Sequence, residues 1–263
     1  MRVARILVFA WVAAPLLWSL LASFTPESQL FDESVLPTRL TAEHYRSLFS
    51  GRDFATPIVN SLVVAGSTTA LALLFGVPAA WALARFDFRG RNAIFLIVLG
   101  VSVFPQIAIV SPLFLLLREL RLINTVPGLV LPYATFALPL AIWLLAGYFR
   151  QMPVEMEEAA LTDGASELQI LLRIVVPTAA PGVATTAILT FIYCWNEFLF
   201  ALSFTLGADR QTVPVAIALF RGQYQVPWGE ILAAASIATL PVAIVVMIFQ
   251  RRIVEGLTAG SVK

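Results

Sequence analysis

The stretch Pro153-Val-Glu-Met-Glu-Glu-Ala-Ala-Leu-Thr-Asp-Gly-Ala165, closed by Ile174-Val-Val-Pro177, is a short polar passage between two strongly apolar ones. Glu155 to Thr162 reads as a helix of one or two turns. Pro153 stands near its start and acids fill its first turn, where the helix dipole favours negative charge. Asp163-Gly164 stops it, because glycine tolerates the left-handed conformation that ends a helix. Ser166 then caps a second short helix running to Arg173. The pattern predicts a helix-turn-helix knob between two membrane spans, the one place where the chain looks built to touch another protein.

What surrounds the knob calls for a bilayer. Of 263 residues, 59% are hydrophobic and only 13% charged, about half the ~25% of a globular chain. Such a chain cannot wrap its apolar residues in polar surface, so lipid must solvate much of it. A net charge of +1 gives no case for nucleic acid, and the single cysteine, Cys194, excludes an intrachain disulfide.

Scarcity excludes several chemistries. The only lysine is Lys263, so no phosphate loop ending in Gly-Lys-Ser/Thr exists and the chain cannot hydrolyse ATP by that route. His44 is the only histidine, which removes His-based metal sites and Ser-His or Cys-His pairs. His44 itself falls in a polar loop and reads as a solvated residue.

Crossing ~30 Å of hydrocarbon takes about 20 apolar residues. Six runs qualify: 6–24, 58–83, 93–117, 126–149, 179–205 and 231–249. The first follows Arg2 and Arg5; its apolar run is too long for an ordinary signal peptide and reads as an uncleaved anchor. Prolines fall inside several runs (Pro78, Pro105, Pro112, Pro132, Pro139, Pro241), which packed membrane helices tolerate when neighbours satisfy the freed carbonyls. The expectation is an all-α membrane protein of about six helices.

Basic residues set the orientation. With the N-terminus inside, ten of the 17 fall on the inner side and seven on the outer, three of those in the longer first loop. The compact Arg85-Phe-Asp-Phe-Arg-Gly-Arg91 turn decides the matter. Both termini and the knob are expected in the cytoplasm. The first outer loop, 25–57, carries five acids and the interfacial candidates Tyr45, Leu48 and Phe49. The last, 206–230, contains Arg221-Gly-Gln-Tyr-Gln-Val-Pro-Trp228. There Gln223, Tyr224 and Trp228 offer amides and aromatics to an extracytoplasmic partner or a sugar, although interfacial Trp and Tyr are common in any membrane protein.

The knob resembles the "EAA" loop of ABC importer permeases: Glu158-Ala159-Ala160, then Gly164, then Ile174 and Pro177, with Val176 where that family usually has leucine. Asn60-Ser-Leu-Val-Val-Ala65 and Ala79-Ala-Trp-Ala-Leu-Ala-Arg-Phe-Asp-Phe-Arg-Gly-Arg91 look like the matching stretches of maltose-type sugar importer permeases. The ending from Gln250 to Lys263 looks like the tail of the second of that family's two permease subunits, with Ser261 where a small apolar residue is usual.

The resemblance implies one permease domain over 1–263, with a coupling loop at 150–178 and a cytoplasmic tail at 250–263. It implies a multi-pass protein of a bacterial or archaeal plasma membrane, moving a disaccharide or oligosaccharide by alternating access. Its partners would be membrane lipid, a second homologous permease, two ATPase subunits that bind the ATP and Mg, and an extracytoplasmic sugar-binding protein. No cofactor and no catalysis are expected of this chain. Contacts to the ATPase are expected from Glu157, Glu158, Ala159, Ala160, Asp163, Gly164 and Pro177, and from Gly256, Leu257, Thr258 and Gly260 of the tail. Another solute class, such as sugar-phosphates or polyols, also fits. An ion-coupled carrier would need charged sites near the midplane, and Glu197 is the one candidate acid within a span.

Glu197, in Tyr193-Cys-Trp-Asn-Glu-Phe198, is the one acid inside a span. Along a continuous helix it would lie ~27 Å from Ala179, towards the outer edge. Two roles fit it: a residue of the sugar path or its gate, or a structural acid bonded to a neighbouring helix. Asn196 and Trp195 complete this candidate path, Trp195 offering either a stacking face or simple packing.

Overall fold

The computed structural model describes residues 2–32, 37–220 and 226–259, with the side chains of 2–4, 6 and 251–259 left out. The described residues form thirteen α-helices joined by short turns, and no strands. Helix α1 (Arg2–Ser23) is followed by a short helix α2 (Glu43–Ser50) and the long α3 (Ala55–Arg85). Then come α4 (Arg91–Val103), α5 (Gln106–Glu119) and α6 (Val126–Phe149). The loop 150–178 holds α7 (Glu155–Thr162), α8 (Glu167–Ile170), a π turn (Leu171–Val175) and α9 (Val176–Thr178). The chain finishes with α10 (Ala180–Trp195), α11 (Leu199–Phe204), α12 (Val213–Ala218) and α13 (Trp228–Ala259).

Helices α3 and α6 form the spine of the bundle. Their facing positions are small (Ala65, Ala72, Gly76 and Ala80 on α3; Ala137, Ala141 and Ala146 on α6), all buried. Small residues let membrane helices approach closely, which matters where lipid removes the hydrophobic drive between them. A Cβ added at Gly76 would already stand 3.4 Å from that of Ala141. Around this seam an outer core gathers Phe54, Tyr133, Phe136, Phe200 and Phe204, and an inner core gathers Trp81, Leu145, Phe149, Ile170 and Val175.

Two of the six expected spans are not single helices. The run 93–117 bends by 92° between α4 and α5. Pro105 removes a backbone donor and forces Phe104 out of the helical region, to φ −68°, ψ 133°. The run 179–205 stops at Trp195 and resumes at Leu199. Here Glu197 makes the break: its carboxylate accepts the N–H groups of Phe200 (2.8 Å) and Ala201 (3.2 Å), capping α11 from outside. The segment before α10 also enters at a steep angle, 80° to it. By contrast Pro78, Pro132, Pro139 and Pro241 stay inside continuous helices.

At the end of the bundle opposite the 150–178 loop, the loop after α1 is fastened to the start of α13. Glu27 accepts the N–H groups of Trp228 and Gly229, both at 3.0 Å, satisfying donors that a helix start leaves orphaned. Glu230 accepts from Ser47 (2.6 Å) and from Arg52, whose guanidinium also lies over the Phe220 ring. Tyr45 shares a 2.6 Å hydrogen bond with Ser23, tying α2 to α1. His44 is therefore not solvated. It is buried, its Nε2 is 2.9 Å from the Thr25 carbonyl, and its ring lies flat on the backbone of Gly229, where an added Cβ would meet it at 2.2 Å.

Candidate functional site

Helix α7 presents two faces because its residues alternate with helical spacing. Glu157 and Ala160, three apart, turn inward and are buried. Glu158, Ala159, Leu161 and Asp163 stay exposed. The inward carboxylate is fully engaged: one oxygen accepts from Trp81 Nε1 (2.9 Å), the other from Arg85 Nε (2.7 Å). Arg85 also donates to the Met152 carbonyl at 2.9 Å. Side-chain exposure of the pair is 9% and 8%. This ion pair rivets the start of the loop to the inner end of α3, so Glu157, expected on the contact face, holds the knob from behind instead.

The far end of α7 closes as its sequence predicts. Gly164 has φ +84°. The N–H of Ala165 reaches the Ala160 carbonyl (2.9 Å) and that of Gly164 the Leu161 carbonyl (3.0 Å), the paired bonds of a Schellman cap. Ser166 and Gln169 then form a reciprocal capping box that starts α8. Pro177 has no N–H to offer the Arg173 carbonyl, and the wide π turn lies immediately before it.

The knob also carries an apolar element that its sequence pattern left unnoticed. Val154, Leu161, Leu168 and Leu172 are large and exposed, although Ile170, Leu171 and Val175 on the same segment are buried in the inner core. Leu168 and Leu172, four apart, share one helical face. Acids and leucines together make this face suited to a protein partner. The i, i+4 leucine spacing was the available signal.

The candidate path residues separate. Trp195 is buried, donates from Nε1 to the Ala238 carbonyl (3.2 Å) and stacks on Phe191, so it offers no free ring face. Glu197 is buried beside the Tyr133 hydroxyl and holds α11. Asn196 alone is exposed, its amide donating to Ile192 O at 2.8 Å. At the outer end, Trp228 is exposed and lines an open recess of about 790 Å³ with Glu27, Phe31, His44 and Glu230. Gln223 and Tyr224 lie outside the described residues. Of the tail, Gly256, Leu257 and Thr258 continue the backbone of α13, and Gly260 lies outside the described residues.

A family profile described as "Binding-protein-dependent transport system inner membrane component" matches residues 72–258. The trehalose transport system permease protein SugB of Mycobacterium tuberculosis is 44% identical over 98% of this chain and 94% of its own. The trehalose/maltose transport system permease protein MalG of Thermococcus litoralis is 40% identical over 95% and 91%. The sulfoquinovosyl glycerol transport system permease protein SmoH of Agrobacterium fabrum is 39% identical over 95% and 88%. Among solved structures, a chain of a bacterial ABC transporter importing the acidic polysaccharide alginate superposes with a TM-score of 0.80. It covers 95% of this chain and 94% of its own at 24% identity, a likeness of fold.

Proposed function

The chain belongs to the binding-protein-dependent transport system inner membrane components, and from that membership we propose that it is one permease half of an ATP-driven carbohydrate importer. The named relatives are transport permeases for trehalose, for trehalose and maltose, and for sulfoquinovosyl glycerol, which supports a disaccharide or small glycoside as the solute. A second permease completes the pathway, a binding protein delivers the sugar from outside, and two ATPase subunits hold the ATP and Mg. The family places it in a plasma membrane with several spans; both termini and the 150–178 loop face the cytoplasm.

The Glu157–Arg85–Trp81 anchor carries the coupling reading. A knob held only by its two chain ends would swivel under load. Here a buried ion pair joins it to α3, the helix that packs along α6, so displacement of the knob displaces the spine. The exposed Glu158, Leu161, Leu168 and Leu172 form the face an ATPase subunit grips. Closure of the ATPases then shifts the equilibrium between outward-open and inward-open states, as far as the two states differ in their contacts. An ion-coupled carrier has less to work with, since both oxygens of Glu197 accept backbone N–H groups.

Glu158→Lys tests the docking face. In the complex reconstituted with its ATPases and binding protein, sugar uptake and sugar-stimulated ATP hydrolysis are expected to fall at least ~10-fold per assembled complex, a loss of about 1.4 kcal/mol or more of coupling energy. Wild-type uptake by Glu158→Lys would sink the docking role. Orientation has its own check. With Cys194→Ala as background, a cysteine placed at Ser166 should react with impermeant thiol reagents only after the membrane is opened. Labelling of intact cells would reverse the topology.

A further inference from the structure

The two interrupted spans meet. Gln106, first residue of α5 after the Pro105 break, donates from Nε2 to the Tyr193 hydroxyl at 2.8 Å, and Tyr193 lies in the last turn of α10, just before the second break. Phe114 of α5 faces Phe204 of α11, ring centroids 6.4 Å apart. Counted from their inner ends at Arg91 and Ala180, Phe104 and Tyr193 each lie ~20 Å along their helices, so both breaks fall at one depth within ~30 Å of hydrocarbon. Irregular backbone at membrane depth persists where it is buried or lines a watery cavity, and discontinuous helices are where transporters build solute sites.

The side chains at this meeting point differ from those on the lipid-like faces. Leu74, Phe75, Leu96 and Ile97 show what an outward apolar surface of this chain looks like. At the breaks, Asn196 is exposed, Gln106 and Tyr193 are half-buried, and Phe104 (51%) and Phe198 (39%), one in each break, are exposed. The Tyr193 oxygen accepts from Gln106, which leaves its proton free to donate. Gln106 Oε1 and Asn196 Oδ1 are free to accept. Two acceptors and one donor, all uncharged, beside two open aromatic faces, match hydroxyls on one edge of a sugar ring and its apolar C–H face.

We infer that Gln106, Tyr193 and Asn196, flanked by Phe104 and Phe198, form a carbohydrate-contact site of this subunit in the translocation path. This rests on the carbohydrate-importer reading above. The site selects uncharged polyhydroxyl solutes and sets preference among them, whereas Trp195 and Glu197 shape it through their backbone hydrogen bonds and packing.

The test uses the full complex in proteoliposomes with its binding protein, measuring uptake of labelled trehalose, maltose and diacetylchitobiose per assembled complex. Tyr193→Phe removes one oxygen and keeps the ring. Gln106→Leu and Asn196→Ala remove the other two groups. Each is expected to lower uptake by about 3- to 10-fold, the worth of a neutral hydrogen bond, and to change the preference among the three sugars. A purely structural Gln106–Tyr193 bond would change assembly yield and leave preference alone. In a Cys194→Ala background, a cysteine placed at Asn196 is expected to react with impermeant thiol reagents and to be protected by the transported sugar. Wild-type rates and preference in the triple variant would overturn the inference, as would a position 196 cysteine inert to reagents from both sides. A wild-type complex that moves no member of a wider panel of mono-, di- and oligosaccharides and small glycosides would instead overturn the carbohydrate reading beneath it.

Discussion

Alanine in place of Glu157 is expected to abolish sugar-stimulated ATP hydrolysis and to lower the yield of folded permease. The substitution leaves the Arg85 guanidinium, whose side chain is 9% exposed, without its carboxylate and leaves the Trp81 indole N–H without an acceptor. Breaking a buried pair from one side costs about 3–5 kcal/mol, because the surviving charge stays buried and uncompensated. Thermal unfolding of the purified complex and its assembly yield report that loss directly. Replacing both partners separates stability from coupling. Glu157→Leu combined with Arg85→Met is expected to recover most of the yield, since matched apolar side chains can replace a buried pair at little cost. Coupled transport should remain impaired, because the directional tie between knob and α3 is gone. A Glu157→Ala complex with wild-type yield and unfolding temperature would remove the anchor from the mechanism.

Gly128→Ala is expected to be the most damaging single methyl in the membrane region. An ideal Cβ there would stand 1.9 Å from the carbonyl oxygen of Leu122 and 2.9 Å from its carbonyl carbon. The obstacle is backbone, so no side chain can swing aside. The surrounding turn has little freedom to yield. Arg121 and Asn124 both have positive φ (57° and 60°), Thr125 bonds the same Leu122 carbonyl, and Asn124 holds the N–H groups of Leu206 and Gly207. Shifting Leu122 would therefore disturb the α5–α6 turn and the chain leaving α11 together. About 3 kcal/mol, the upper end of ordinary overpacking, is the expected loss of stability. Gly76→Ala is the matched control: its Cβ would meet Ala141 at 3.4 Å, ordinary contact, and should cost less than ~1 kcal/mol. Equal unfolding temperatures for the two variants would refute this ranking.

Much of the inner loop is legible in sequence because its determinants are local. Gly164 ends α7 through its own φ, and Ser166 begins α8 through a partner three residues on. The apolar runs locate the spans because a bilayer demands length and composition. What escapes a linear reading depends on distant partners. Glu157 faces inward because Arg85, 72 positions earlier, waits there. His44 is buried because Gly229 offers a bare patch of helix backbone on which the ring can lie. Among the prolines inside the apolar runs, only Pro105 breaks its span, whereas Pro78, Pro132, Pro139 and Pro241 are carried within helices. The second break has no proline or glycine to announce it. Its cause was visible as Glu197, an acid in an apolar run, but its target, the amides of the next turn, follows only once the helix is seen to stop.

Helix α13 runs unbroken from Trp228 to Ala259, 32 residues and ~48 Å, well beyond the hydrocarbon thickness. Its first turn is clamped by Glu27 and bears the exposed Trp228 beside an open recess, and its other end runs into the tail. A push applied to one end of a stiff rod arrives at the other without passing through any loop. In the importer proposed above, a receptor docked at one end and the ATPases at the other would be linked along this single piece of secondary structure. Pro241, where the hydrogen-bond ladder lacks one rung, is a weak point of that rod.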